Sequence, residues 1–326
     1  MPRDPKDQLQ TLREQHLYRQ LRPIEQRQGN TLSIDGKTYL NFSSNDYLGL
    51  SRHPDILHTY QNALSQWGVG AGSSRLICGT LQPHLELEQR LAELKKSEAA
   101  LTFSSGYATA IGTITALAKK GDILILDKLC HASLIDGARL SAATLRIYPH
   151  NHTQKLESHL QWASKKIASD GRIIVITESI FSMDGDLCPL ADIVELKEKY
   201  GALLLLDEAH ALGVIGTDGL GLAHQLDLCQ QVDLQMGTLS KALGLSGGYL
   251  CASRAAIDLM INRSRSFIYS TAPSAAIPAR LSSLQVRSVL PSTYAIAMKT
   301  PSGRSPTSCT VTTRWGGTDE PASALP

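Results

Sequence analysis

At 326 residues with 42% hydrophobic side chains, the chain is long enough for about two domains with real cores. Its 32 basic and 30 acidic residues leave a net charge of +2, without a Lys/Arg block or a basic stripe interleaved with aromatics, which argues against nucleic acid as a partner. Cys78, Cys130, Cys188, Cys229, Cys251 and Cys309 lie far apart without metal-ligand spacing, so they read as buried free thiols in a reducing compartment, and no apolar run reaches the roughly 18 residues of a membrane span.

The chain opens on "DPKDQLQTLREQHLYRQLRPI". It lacks the order of a signal peptide, and Asp4, Asp7 and Glu14 argue against a transit peptide, so a cytoplasmic location is expected. Leu9, Leu12, Leu17 and Leu21 predict one face of a helix. "NTLSIDGKTYLNFSSNDYLGL" then alternates as a hairpin with its turn at Asp35-Gly36. "GVGAGSSRLICG" (68 to 79) superficially resembles a dinucleotide loop, but it neither follows a clean strand nor opens a helix. Helical period at 85 to 96 leads to a strand over "AALTFSSG" (99 to 106), a helix over "YATAIGTITALAKK" and a strand over "DILILD" (122 to 127). "RIIVITESIF" (172 to 181), "LADIVELKEKY" (190 to 200), "ALLLLDEAH" (202 to 210), "VDLQMGTLS" (232 to 240) and "GGYLCAS" (247 to 253) continue the alternation. Strands apolar on both faces between helices predict an α/β fold with a largely parallel, doubly covered sheet, and ligands then sit beyond the strands' carboxyl ends.

From about Leu284 the sequence turns rich in Ser, Thr, Pro and Gly and loses its period. This divides the chain into an N-terminal helix and hairpin segment (1–48), a large domain (49–283) and a divergent, poorly ordered tail (284–326). No internal repeat is present.

Three stretches carry candidate chemistry. Asp207 ends a run of four leucines, where a strand would deliver it to the ligand edge. So apolar a setting demands a cationic or hydrogen-bonding partner, although by itself the acid could equally cap the next helix. His210 alone reads as a structural histidine. Lys241, in "TLSKALGLSGG", sits among small and apolar residues that suit an amine with a depressed pKa and hence a Schiff-base nucleophile, or else a snorkelling surface lysine. An acid at a strand end together with such a lysine fits pyridoxal phosphate, whose ring nitrogen takes an acidic partner and whose aldehyde takes an amine. "FSSGYATA" (103 to 110) passes through Ser-Ser-Gly into a helix whose free N–H groups suit a phosphate, although an ordinary strand-to-helix turn looks the same.

"NFSSNDYLGLSRHP", "GSSRLICGT", "SSGYATA", "HASLIDGARLS", "TESIFSMDGD", "LLLLDEAHALGVIG", "GTLSKALG" and "SFIYSTAPS" stand in the order and spacing of a known family. From about Leu21 to Pro278 the chain resembles the α-oxoamine synthases, within the fold-type-I pyridoxal-phosphate enzymes. The resemblance implies a PLP-dependent transferase fold of the aspartate aminotransferase type. It implies an imine between Lys241 and the cofactor, with Lys241 also the base that takes the α-proton. Asp207 would pair with the ring nitrogen, His210 and Ser182 would hold the ring's 3-oxygen, and His131 would stack on the ring. Gly106, Tyr107 and Thr238 would bind the phosphate, joined by Ser270 and Thr271 from a neighbouring subunit, which implies a homodimer with shared sites. Asn45 would lie near the substrate, and Glu178 would support the pocket.

Among family members, the short N-terminus with "IDGKTYLNFSSNDYLGL" is most similar to those that condense L-alanine with a pimeloyl thioester, of coenzyme A or a carrier protein, in biotin synthesis. Two other readings stay open: a sibling that joins glycine to another acyl-CoA, and an inactive dimerisation partner. The resemblance stops near Pro278 to Leu284, before the family's C-terminal α/β domain and its carboxylate-binding arginine. Neither Arg304 nor Arg314 is assigned that role, and the tail reads like an altered frame or a truncated product.

Overall fold

The computed structural model describes residues 4–277. They fall into two units that divide between Ser44 and Asn45.

In the first unit, helix α1 (Pro5–Glu14) begins with proline in its first turn, and the Asp4 side chain accepts from Lys6 N. The helix stops earlier than its leucines predict. His16 adopts φ +56°, and Leu17 N bonds back to Leu12 O, a left-handed closure that turns Leu17 and Leu21 out of the helix. Strands β1 (Gln26–Gln28), β2 (Thr31–Ile34) and β3 (Lys37–Leu40) form an antiparallel meander. Asp35 and Gly36, both at positive φ, make the expected two-residue turn between β2 and β3.

The second unit starts with α2 (Pro54–Trp67) and α3 (Gln82–Leu94). It continues through β4 (Ala99–Phe103), α4 (Gly106–Leu117), β5 (Ile123–Asp127), α5 (Ala132–Leu140), β6 (Thr144–Tyr148), α6 (Thr153–Lys166), β7 (Ile173–Glu178), α7 (Leu190–Lys199) and β8 (Leu203–Asp207). The short α8 (Leu222–Gln225), β9 (Leu234–Thr238), β10 (Gly248–Ala252), α9 (Arg254–Arg263) and α10 (Arg265–Ile268) follow. Among the described residues these strands form one seven-stranded sheet, ordered β4-β10-β9-β8-β7-β5-β6. Only β10 runs against its neighbours, so the carboxyl ends of β4, β5, β6, β7, β8 and β9 share one edge.

Period-two burial explains why both sheet faces are apolar. Ile123, Ile125, Ile173, Val175, Leu204 and Leu206 face α6 and α7 through Leu156, Leu160, Ile193 and Val194. Their alternates Leu124, Leu126, Ile174, Ile176 and Leu205 pack with Ile114, Leu134, Ile257 and Met260 of α4, α5 and α9. Such two-sided burial needs the near-continuous apolar runs seen in the sequence.

One buried ion pair fastens the segment after β8. Lys95 Nζ donates to Glu208 Oε2 and to Leu220 O, while Ala223 N donates to Glu208 Oε1. Both charged residues are wholly buried, so neither can lose its partner without stranding a charge. Glu208→Ala is therefore expected to cost about 3–5 kcal/mol in denaturant unfolding. The double variant Lys95→Met/Glu208→Leu should lose less than that single one; equal or larger loss would contradict the assignment.

Candidate active site

The shared sheet edge gathers the chemistry. Asp207 ends β8 and Glu178 ends β7, paired in register on neighbouring parallel strands. Both are buried. Asp207 Oδ1 accepts from Ala209 N at 2.9 Å, and Glu178 Oε1 accepts from His131 N at 2.5 Å. Burial raises the Asp207 pKa above the ordinary carboxyl value against the opposing pull of Ala209 N, Lys241 and His131. Burial, and then the neighbouring Asp207 charge, pushes Glu178 up to about 8. Two adjacent carboxyls that resist ionising make this edge receptive to a cation.

The cation-forming group comes from the loop after β9. Lys241 Nζ donates to His210 Nε2 at 2.5 Å. Burial lowers the Lys241 pKa, and the charges of Asp207 and Glu178 pull the other way. Burial, followed by the Lys241 and His131 charges, lowers His210 to about 4, so its ring is neutral at pH 7. A neutral ring that accepts at Nε2 carries its proton on Nδ1. That Nδ1 donates to Tyr47 Oη at 2.7 Å, and Tyr47 O–H donates to Asn45 Oδ1 at 3.2 Å. The chain Lys241, His210, Tyr47, Asn45 thus fixes one imidazole tautomer and aims its lone pair at the amine.

Local backbone geometry permits this close approach. Gly213 has φ +81°, and a Cβ there would lie 2.6 Å from Ala242 Cβ, so only glycine lets the segment after His210 nest beside the lysine loop.

The edge also offers an anion cradle. Ser105 Oγ caps α4 by accepting from Ala108 N. The Gly106 and Tyr107 amides, in the first turn of α4, have no intrahelical acceptor. A Cβ on Gly106 would come within 3.4 Å of Thr238 Cβ, so the helix start and the end of β9 face each other across a gap that a side chain would occupy. Thr238 Oγ1 donates to Gly247 O at 2.8 Å and lies 2.8 Å from Ser240 Oγ.

The structure therefore brings Lys241, His210 and Asn45 into one hydrogen-bonded chain, puts Asp207, Glu178 and His131 beside it, and sets Gly106 against Thr238. Ser182 is exposed in the turn after β7, with no side-chain hydrogen bond among the described residues. The Tyr107 hydroxyl donates to Asp136 Oδ2 at 2.9 Å, a bond that does not involve its backbone N–H. Thr271 bridges to Ser74, and no hydrogen bond among the described residues joins Ser270 or Thr271 to the lysine cluster. Tyr47 is the site residue that the sequence reading missed; its partner lies 163 residues away, and its only sequence signal was its place two residues after Asn45. Arg304, Arg314, Cys309 and the tail lie outside the described residues. Within them the free thiols of Cys130, Cys188, Cys229 and Cys251 are buried as expected whereas that of Cys78 is exposed, no helix is long and apolar enough to cross a membrane, and no cluster of metal-ligating side chains occurs.

The model of the aminotransferase class I and II family matches residues 37–293, most of the chain. The chain belongs to that family. For this family member, similarity to curated proteins is equally extended: it is 46% identical over 287 residues to the 8-amino-7-oxononanoate synthase of Geobacter sulfurreducens, covering 88% of this chain and 72% of that protein. The solved serine palmitoyltransferase of Sphingomonas wittichii superposes with a TM-score of 0.80 at 28% identity, covering 89% and 72% of the two chains. A structure of SPT with PLP superposes with a TM-score of 0.78 at 28% identity, covering 88% and 71%.

The raised Glu178 pKa has a definite sign. Between the ordinary value of 4.5 and about 8 the folded protein holds a proton that the unfolded chain has lost, so stability falls as pH rises through that window. Urea melts of the cofactor-free protein should show a slope of up to roughly 1.4 kcal/mol per pH unit that shrinks in Glu178→Gln. An undiminished slope in the variant would contradict the placement.

Proposed function

We propose that this chain is a pyridoxal-phosphate enzyme that condenses L-alanine with a pimeloyl thioester, releasing the thiol carrier and carbon dioxide and forming 8-amino-7-oxononanoate for biotin synthesis. The observation that carries the reading is the Lys241–His210 contact beside buried Asp207, in a chain 46% identical to a named 8-amino-7-oxononanoate synthase. The fold supports the cofactor, because the solved SPT that it matches holds PLP.

The residues fit that group one feature at a time. Asp207 would hold a proton on the ring nitrogen, the cation that two buried carboxyls call for. Gly106, Tyr107 and Thr238 would hold the phosphate at the start of α4. Lys241 would bond the aldehyde carbon. His131 would cover one ring face, with its backbone N–H held by Glu178, and His210 and Ser182 would meet the 3-oxygen. Asn45 would border the amino-acid substrate. When bound, the cofactor withdraws electrons from the substrate's α-carbon, stabilising the charge that develops when a proton or carboxyl group leaves.

This chain's own contribution is control of protons and water. Burial lowers the Lys241 pKa, which favours the uncharged, nucleophilic form of Nζ. The same amine would take and return the substrate's α-proton. His210 Nε2 receives the amine's hydrogen bond and limits its wandering. The apolar strands behind Asp207 exclude water from the acid. In this reading the working unit is a homodimer, with Ser270 and Thr271 reaching the neighbouring subunit's phosphate, in the cytoplasm.

Similarity to serine palmitoyltransferase favours a second reading, a sibling condensation with another amino acid and acyl thioester such as glycine and acetyl-CoA. Free-thiol release separates the two: the first reading expects L-alanine and pimeloyl-CoA to be the preferred pair over glycine or L-serine with shorter or longer acyl-CoA. Lys241→Ala should lose the visible absorption of the bound cofactor and slow turnover by about 10²- to 10⁴-fold. A variant that keeps the wild-type spectrum would sink the assignment.

A further inference from the structure

Away from the lysine, one imidazole joins two of the turns at the sheet edge. His150 follows β6; its Nδ1 lies 3.0 Å from Asp127 Oδ1, and its Nε2 lies 2.8 Å from Asp186 Oδ2. Asp127 ends β5 and is buried, and Asp186 lies in the turn after β7. Asn151 doubles both links: its backbone N donates to Asp127 Oδ2 at 2.8 Å, and its Nδ2 donates to Asp186 Oδ2 at 3.0 Å. The Phe181 ring stands edge-on, 4.4 Å from the imidazole, and covers one side of it.

The two tied segments are those that carry His131 and Ser182. Asp127 Oδ1 also accepts from Leu129 N at 2.8 Å, which shapes the step from β5 to His131 at the cap of α5. The other turn is closed by Phe181 N bonding to Asp186 O and Gly185 N bonding to Phe181 O, so Ser182 sits inside a loop whose far end His150 grips. Asp186 Oδ1 is buried without a partner among the described residues, which leaves this carboxylate dependent on His150 and Asn151. An imidazole between two carboxylates serves both at once only with a proton on each nitrogen.

We propose that His150 is a positioning residue: through Asp127 and Asp186 it locks the Ser182 turn to the β5 end that leads to His131, and so sets how those side chains meet the cofactor ring. The proposal rests on the pyridoxal-phosphate reading above. The groups facing the imidazole are Asp127 from β5 and Asp186 from the turn, with the Tyr148 hydroxyl and the Cys130 and Cys188 thiols grouped around Asp127. Burial lowers the His150 pKa, but the two carboxylates outweigh it and raise the net value. With a raised folded value, the lock holds fully below the ordinary histidine pKa of 6.5 and is lost as pH rises through the folded one.

The test uses the loaded protein and reads the visible circular dichroism per bound pyridoxal phosphate, together with the cofactor's dissociation constant, from pH 6 to 9. His150→Ala is expected to weaken binding about tenfold and to diminish the dichroism at saturating cofactor. His150→Gln, able to donate to one carboxylate, should keep part of both, and in either variant the difference from wild type should shrink at high pH. Leu156→Ala, a core change on α6, should lower the melting temperature while preserving dichroism and affinity. Wild-type values in His150→Ala, or an equal loss in a Leu156 variant matched for melting temperature, would overturn the proposal. A wild-type protein without a visible band would overturn the cofactor reading, and the proposal with it.

Discussion

Glu178 and Asp207 end adjacent parallel strands in register, buried behind apolar side chains, and among the described residues neither forms a side-chain ion pair. Desolvation pushes both toward the neutral acid, and the Asp207 charge adds to the push on Glu178. Such an arrangement is costly to the fold unless a cation arrives to share it. The rest of the site is organised around that demand: Lys241 supplies one nearby charge, and a protonated ring nitrogen would supply another.

The sheet topology is what makes the demand possible. Because every strand of the seven-stranded sheet but β10 points the same way, the turns after β4, β5, β7, β8 and β9 emerge at one edge and bring together residues more than 130 positions apart. Buried polar links then hold those turns in place. Arg75 pairs with Glu88 through two hydrogen bonds and ties the start of the unit to α3 and β4, while Lys95 grips Glu208 immediately after Asp207. These interior charges leave the edge with few ways to rearrange, which suits a site that must hold a flat ring at a fixed tilt.

Much of this was legible in the sequence, for identifiable reasons. "LLLLD" and "RIIVITE" read as doubly buried strands because both periods of the pleat are apolar, and the Ser-Ser-Gly step into α4 is visible as a cap. Lys241 stood out because a charge is rare among small and apolar neighbours. What the sequence did not reveal depends on distance in the chain. Tyr47 meets His210 only because the segment after Asn45 returns to the sheet edge, and His150 looks like an ordinary loop histidine until β5, β6 and β7 set it between two acids. The N-terminal leucines misled for a local reason: apolar spacing continued, but a left-handed His16 ended the helix first.

In the proposed function Asp207, in its carboxyl-rich strand-end site, keeps a cofactor ring nitrogen protonated. The most direct measurement is the nitrogen chemical shift of pyridoxal phosphate labelled at that ring nitrogen and bound to the protein, compared with Asp207→Ala. A pyridinium shift is expected in the wild type across neutral pH and an unprotonated pyridine shift in the variant. The same shift in both, or an unprotonated ring in the wild type, would contradict it.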